Sequence, residues 1–200
     1  SRGLGDVYKR QDYVAWQLEK LADEEKQQHH REYWLNKLPP ELPKLNLHPG
    51  IERPPMKTNA GDNLIVAFDK KTSLALEQLS KKHRATAFMT FLAVLKAQLF
   101  GYTNEKNLML GTPLAGRNHK DLEDLAGLFI NMVALHDEMA ADMTFEELLA
   151  SVKTTLLGAY EHQDYPALNL ITDLELDIDP SRNIGFDVLV VFHNNDQIMD

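Results

Sequence analysis

The chain has 200 residues, 44% hydrophobic and 26% charged, with 10 Gly and 9 Pro. That composition fits one globular domain or a little more, and it excludes disordered, collagenous and low-complexity classes. Against 30 Asp and Glu stand only 21 Lys and Arg, for a net charge of -9 and no Cys, so a phosphate-backbone partner, a disulfide framework and a Cys-ligated zinc site are all excluded.

Residues 1–11 (SRGLGDVYKRQ) have no apolar period. DVYKRQ is what a transposon mosaic end encodes when translated, so this stretch is read as a non-native or disordered leader and the natural chain is expected to extend upstream. Residues 12–38 read as one helix, with Tyr13, Trp16, Leu21, Trp34 and Leu38 on a loose apolar face. Pro39 and Pro40 stop it, and the prolines at 39, 40, 43, 49, 54 and 55 make the following stretch an extended connector. Residues 63–69 (NLIVAFD) are strand-like, and 72–83 form a helix with Leu74, Leu76 and Leu79 as its apolar positions. Thr86 caps the next helix, 87–100, which is apolar nearly all round and therefore expected to be buried.

A turn around Gly101 leads to a strand at 107–111, and 130–136 (INMVALH) reads as another. Thr144 and Glu147 form a capping box ahead of a helix in which Phe145, Leu148, Leu149, Val152, Leu156 and Ala159 keep a 3.6 period. Pro166 opens a short helix over 167–174, and 186–193 (FDVLVVFH) is a buried-type strand. No apolar run approaches the roughly 18 residues of a membrane span, so no membrane is expected and a cytoplasmic location fits.

The residue chemistry narrows the function only partly. None of the 8 His forms HExxH or a pair four apart, so no metal site is expected, and adjacent His29 and His30 read as a solvated pair. GTPLAGRN at 111–118 has the Gly-x4-Gly spacing of a phosphate-binding loop. Arg117 and Asn118 stand where that loop needs Lys and a magnesium-binding Ser or Thr, so a nucleotide binder is the least favoured reading. No G-x-S-x-G elbow is present, and Glu123/Asp124 and Glu146/Glu147 read as solvated carboxylates.

Four ordered segments carry more. DYVAWQ at 12–17, GTPLAGRN at 111–118 running on to GLFIN at 127–131, HQDYP at 162–166 and SRN at 181–183 resemble, in order and spacing, the later core motifs of the condensation domain of nonribosomal peptide synthetases. The resemblance implies an α+β mixed sandwich of the chloramphenicol acetyltransferase type, mostly its C-terminal subdomain. On it, 12–60 are helix and Pro-rich connector, and 61–200 the C-terminal subdomain. It implies amide formation between a donor acyl or peptidyl thioester and an acceptor aminoacyl thioester. No cofactor is bound by the domain itself: the substrates ride on the phosphopantetheine of partner carrier protein domains, beside an adjacent adenylation domain.

The catalytic HHxxxDG signature of that family is not in these 200 residues, and Arg31-Glu32 after His29-His30 does not supply it. No catalytic residue is therefore assigned, and the chain alone is expected to be inactive and poorly soluble. An epimerisation domain, or an inactive domain that recruits carriers, is the alternative within the family. Pro166 is followed by Ala167-Leu168 where the family usually has Phe-Glu, and Ile184-Gly185 stand in place of a common Pro-Leu.

The expected tunnel-wall and scaffold residues are Gly111, Gly116, Arg117, Asn131, His162, Gln163, Asp164, Arg182 and Asn183. Gly116 would let backbone approach a ligand, and Arg117 would anchor a polar arm or pair with an acid in the fold. Asn131 needs partners for its amide, and His162 sits where a helix dipole favours a charged imidazole. Gln163 and Asp164 would tie a turn, and Arg182 and Asn183 would fix the start of a strand.

Overall fold

The computed structural model describes residues 5–48, 50–58, 60–117, 122, 127, 129–176 and 179–193, with side chains from Tyr13 onward. Helix α1 spans Gly5–Ala22 and α2 spans Glu24–Lys37. The single helix expected over 12–38 is thus two, because the Asp23 carboxylate caps α2 by accepting from the Lys26 backbone N–H at 3.2 Å. Residues 5–11 are helical, inside the stretch read as a leader.

The connector after Leu38 has no regular structure, as its prolines require. The segment at 63–69 forms no strand, and Leu64 and Ile65 are 89% and 94% exposed. A β-pattern needs a neighbouring edge to satisfy its backbone, and no described strand pairs with it. Asp69 then caps α3 (Lys70–Lys82), accepting from the Thr72 N–H at 2.6 Å. Thr86 caps α4 (Ala87–Thr103) as expected. This helix is not buried all round: Leu92, Ala93 and Lys96 are inaccessible, while Phe91 and Val94 reach solvent. It runs past Gly101 and ends at Asn104, which takes the left-handed conformation.

Strand β1 (Asn107–Leu114) pairs antiparallel with β2 (Asn131–Glu138), from Asn107 opposite Glu138 to Leu114 opposite Asn131. Helix α5 (Phe145–Glu161) carries the expected capping box, with Thr144 Oγ1 accepting from the Glu147 N–H and Glu147 accepting from the Thr144 N–H. After α6 (Ala167–Asp173), only Val188–Leu189 of the strand expected at 186–193 pairs, as β3 parallel to β1, giving sheet order β2-β1-β3.

Alternation along β2 assigns the two faces. Asp137 points at α4 and α5, where it meets Lys96, Ser151 and Thr155. His136 points the other way, to the Lys37 carbonyl at the end of α2 and to Asn107. The sheet therefore has helices on one side and the end of α2, the connector and α6 on the other. No single helix among the described residues is long and apolar enough to cross a membrane.

Candidate functional site

Tyr13, Trp16, Gln17 and Lys20 are spaced i, i+3, i+4 and i+7, so they share one face of α1. That face forms one wall of a cleft of about 320 Å³. The opposite wall is Gly116 with Phe129, Ile130 and Asn131, and the floor is Gln163, Asp164 and Pro166. Tyr13 meets Phe129 edge to face at 4.7 Å. Lys20 Nζ lies 4.0 Å over the Trp16 ring and 3.0 Å from the Asp164 carboxylate. This pair ties α1 to the turn after α5.

Gly116 must be glycine here. Its φ is +63°, and a Cβ would come within 1.9 Å of the Phe129 carbonyl oxygen. Arg117 lies 4.4 Å over the Phe129 ring and donates to the Leu122 carbonyl. The Asn131 amide donates to the Gln163 carbonyl at 2.5 Å, and Gln163 Nε2 donates to the Tyr160 carbonyl at 2.7 Å. These bonds hold the turn against the start of β2. Gly116 and Gln163 also border a second, wider groove of about 740 Å³ between the start of α4 and residues 112–117.

Two expectations change, both at histidines. Gly111, the first glycine of the least favoured phosphate-loop reading, lies inside β1, opposite Ala134 and Leu189. It is small to admit Phe186, whose ring would lie 2.3 Å from a Cβ there; Asn118 lies outside the described residues. The His29/His30 pair is not simply solvated, because His30 Nδ1 is 2.9 Å from His162 Nδ1. Nor does His162 favour its charged form at the end of α5. Burial, and then the neighbouring His30, push its pKa down against the pull of Glu161. Its ring stacks on Tyr33 at 3.9 Å, and its carbonyl accepts from Trp34 Nε1 at 3.0 Å.

Arg182 and Asn183 are not part of the cleft. Arg182 donates to Asp187 at 2.5 Å and to the Leu45 carbonyl at 3.3 Å, and Asn183 accepts from Lys57 Nζ at 2.7 Å. Both tie the connector to the segment before β3. Lys20 belongs to the cleft and lies outside the motif segments, signalled only by its helical spacing from Tyr13; Phe129, Ile130 and Pro166 fall inside GLFIN and HQDYP but are not among the expected site residues. No group of three His, Asp or Glu among the described residues can hold a metal ion.

The family described as Condensation domain matches residues 6–200. Tyrocidine synthase 3 of Brevibacillus parabrevis is 38% identical over 186 residues, covering 93% of this chain and 3% of the relative. Bacitracin synthase 1 of Bacillus licheniformis is 36% identical over 185 residues, covering 92% of this chain and 4% of the relative. The chain thus spans less than a tenth of these curated relatives. Among solved structures, a four-domain nonribosomal peptide synthetase bound to AMP and glycine superposes with a TM-score of 0.79 at 24% identity, covering 84% of this chain and 13% of that one. The X-domain from teicoplanin biosynthesis superposes with a TM-score of 0.80 at 23% identity, covering 89% and 40%. The α+β fold is therefore that of condensation domains. With three of its four motif segments on one cleft and a family match running from residue 6 to residue 200, the chain belongs to the condensation domain family.

Proposed function

We propose that this chain forms one wall of a site that joins a donor acyl or peptidyl thioester to an acceptor aminoacyl thioester in nonribosomal peptide synthesis. The observation that carries this reading is the convergence of DYVAWQ, GLFIN and HQDYP on the cleft bordered by Trp16, Asn131 and Gln163. In that reaction the acceptor amine attacks the thioester carbonyl, a C–N bond forms, the C–S bond breaks and the thiol leaves. The thioester is already activated and the neutral amine already nucleophilic. Much of the acceleration then comes from holding two tethered groups in line, worth roughly 7–11 kcal/mol in favourable cases.

Both substrates arrive on the phosphopantetheine arms of carrier protein domains, with an adenylation domain loading the acceptor; the arm is part of the substrate and not a resident cofactor. Gly116 and Gln163 line both this cleft and the wider groove beside it. The Gln163 side chain is bonded within the fold, so this wall is assigned the orienting of the arm and no proton transfer.

The test is a chimera. Residues 12–193 replace the matching segment of a tyrocidine synthase 3 condensation domain, and dipeptide formation between loaded carrier domains is followed by mass spectrometry. Amide formation well above a control without the domain is expected, and none from the 200-residue chain alone. A folded chimera that forms no amide overturns the reading.

A further inference from the structure

We propose that His30 and His162 form a proton-sensitive clasp that holds α2, and through it the α1 wall of the cleft, against the turn at 162–166. The inference stands on contacts within this chain and does not depend on the substrates proposed above. The two Nδ1 atoms are 2.9 Å apart. At that distance one nitrogen donates and the other must accept with a bare lone pair. A neutral pair or a singly protonated pair satisfies this. Two imidazolium rings would aim N–H at N–H and lose the bond.

The His162 ring is not free to turn aside. His162 is 5% exposed, stacked on Tyr33 with 4° between the planes, and its backbone carbonyl is held by Trp34. Tyr33 in turn fits against Gly158, where a Cβ would approach its hydroxyl to 2.3 Å. The motion is passed to α1 because the Asp23 backbone N–H and the Gln27 side-chain amide both donate to the Lys20 carbonyl, and Lys20 lines the cleft.

Charged and titratable groups face the pair from every adjoining element: Lys20 of α1, His29 and Tyr33 of α2, Glu161 of α5 and Asp164 of the turn. Burial pushes both imidazoles below their ordinary value. Asp164 and Glu161 oppose this for His30, and His29 and Lys20 add to it. The closed form therefore binds fewer protons than the open form. Closure is complete above about pH 6.5, the ordinary histidine value, and weakens as the pH falls through the lowered values. One extra proton taken up on opening changes the closing equilibrium about tenfold per pH unit.

Trp34 reports the clasp directly. In a Trp16→Phe background it is the only tryptophan, and its emission and acrylamide quenching are followed from pH 8 to pH 5 beside far-ultraviolet circular dichroism. Trp34 is expected to become water-accessible below pH 6.5 while helix content holds. Trp16→Phe/His30→Asn, which carries no ionisable group at 30, is expected to flatten the transition. Superimposable curves for the two proteins overturn the proposal, as does a Trp34 change that appears only together with loss of helix. Should the double variant fail to fold, nitrogen-detected NMR titration of the unmodified chain decides. A shared Nδ1 proton and two separated titrations support the clasp. Two independent titrations at the ordinary histidine value overturn it.

Discussion

Lys96 has no exposed surface, and its ammonium donates to the Asp137 carboxylate at 2.5 Å and to the Leu135 carbonyl at 2.7 Å. Asp137 also accepts from Ser151 at 2.7 Å and from Thr155 at 2.6 Å. Burial pushes the Asp137 carboxyl up, but the Lys96 charge and the donated hydrogen bonds together outweigh it and hold it below the usual carboxylate range. The stabilisation is therefore present above the ordinary aspartate value and disappears as the pH falls through the lowered one. Removing one partner leaves a buried charge without its counter-ion. Lys96→Met is expected to destabilise the chain by about 3–5 kcal/mol, and Lys96→Met/Asp137→Leu by less than Lys96→Met alone. Urea unfolding with a shared m-value reads both. A Lys96→Met loss below about 1 kcal/mol would show that Asp137 is neutral in the native state. The sequence hid this pair, because a lysine in an otherwise apolar helix reads as a side chain reaching water.

Elements whose signal is local were legible. Thr144 with Glu147 marked the start of α5, Thr86 that of α4, and the prolines the irregular connector. One local signal was overlooked: Asp23 broke the first helix by a cap rather than by a proline. Where the deciding partner is far away in sequence, reading failed. The solvated pair at 29 and 30 acquired His162, a partner 132 residues on from His30. Residues 63–69 have the right pattern for a strand and no described edge to pair with. The exposed apolar residues Leu64, Ile65, Val66 and Phe68 form a β-prone run on which other chains can assemble. Because Ile65 is almost wholly exposed, Ile65→Lys removes no burial from this chain. It is expected to shift stability by no more than about 0.5 kcal/mol and to suppress aggregation on mild warming, followed by light scattering. A large fall in melting temperature would show instead that the segment packs against this chain.

At the scale of the molecule, distant segments are joined by a few side chains on opposite margins of the sheet. On one margin Lys20, Trp34 and His30 bind the helix pair α1–α2 to the turn that ends α5. The family-like motifs at 12–17, 127–131 and 162–166 meet there, which is why the cleft could be assembled from motif residues although its depth and its Lys20–Asp164 tie could not. On the other margin Asp187 gathers the connector: it accepts from the Leu45 N–H at 2.9 Å and from Arg182 at 2.5 Å, and Arg53 lies 3.5 Å away. The Asp187 side chain is only 8% exposed, and a hydrogen bond to a charged group contributes about 1.5–3 kcal/mol. Asp187→Ala thus leaves a half-buried guanidinium and a backbone N–H without their acceptor, and the connector loses its anchor while the sheet keeps its own bonds. Trypsin cleavage after Lys44 and Lys57 is expected to quicken several-fold in Asp187→Ala, with the helical circular dichroism unchanged. Asn183→Ala, which releases only the Lys57 side chain, is expected to quicken cleavage at Lys57 alone. Unchanged cleavage in Asp187→Ala would mean that Leu38 and Leu45, both buried, are sufficient to hold the connector by packing.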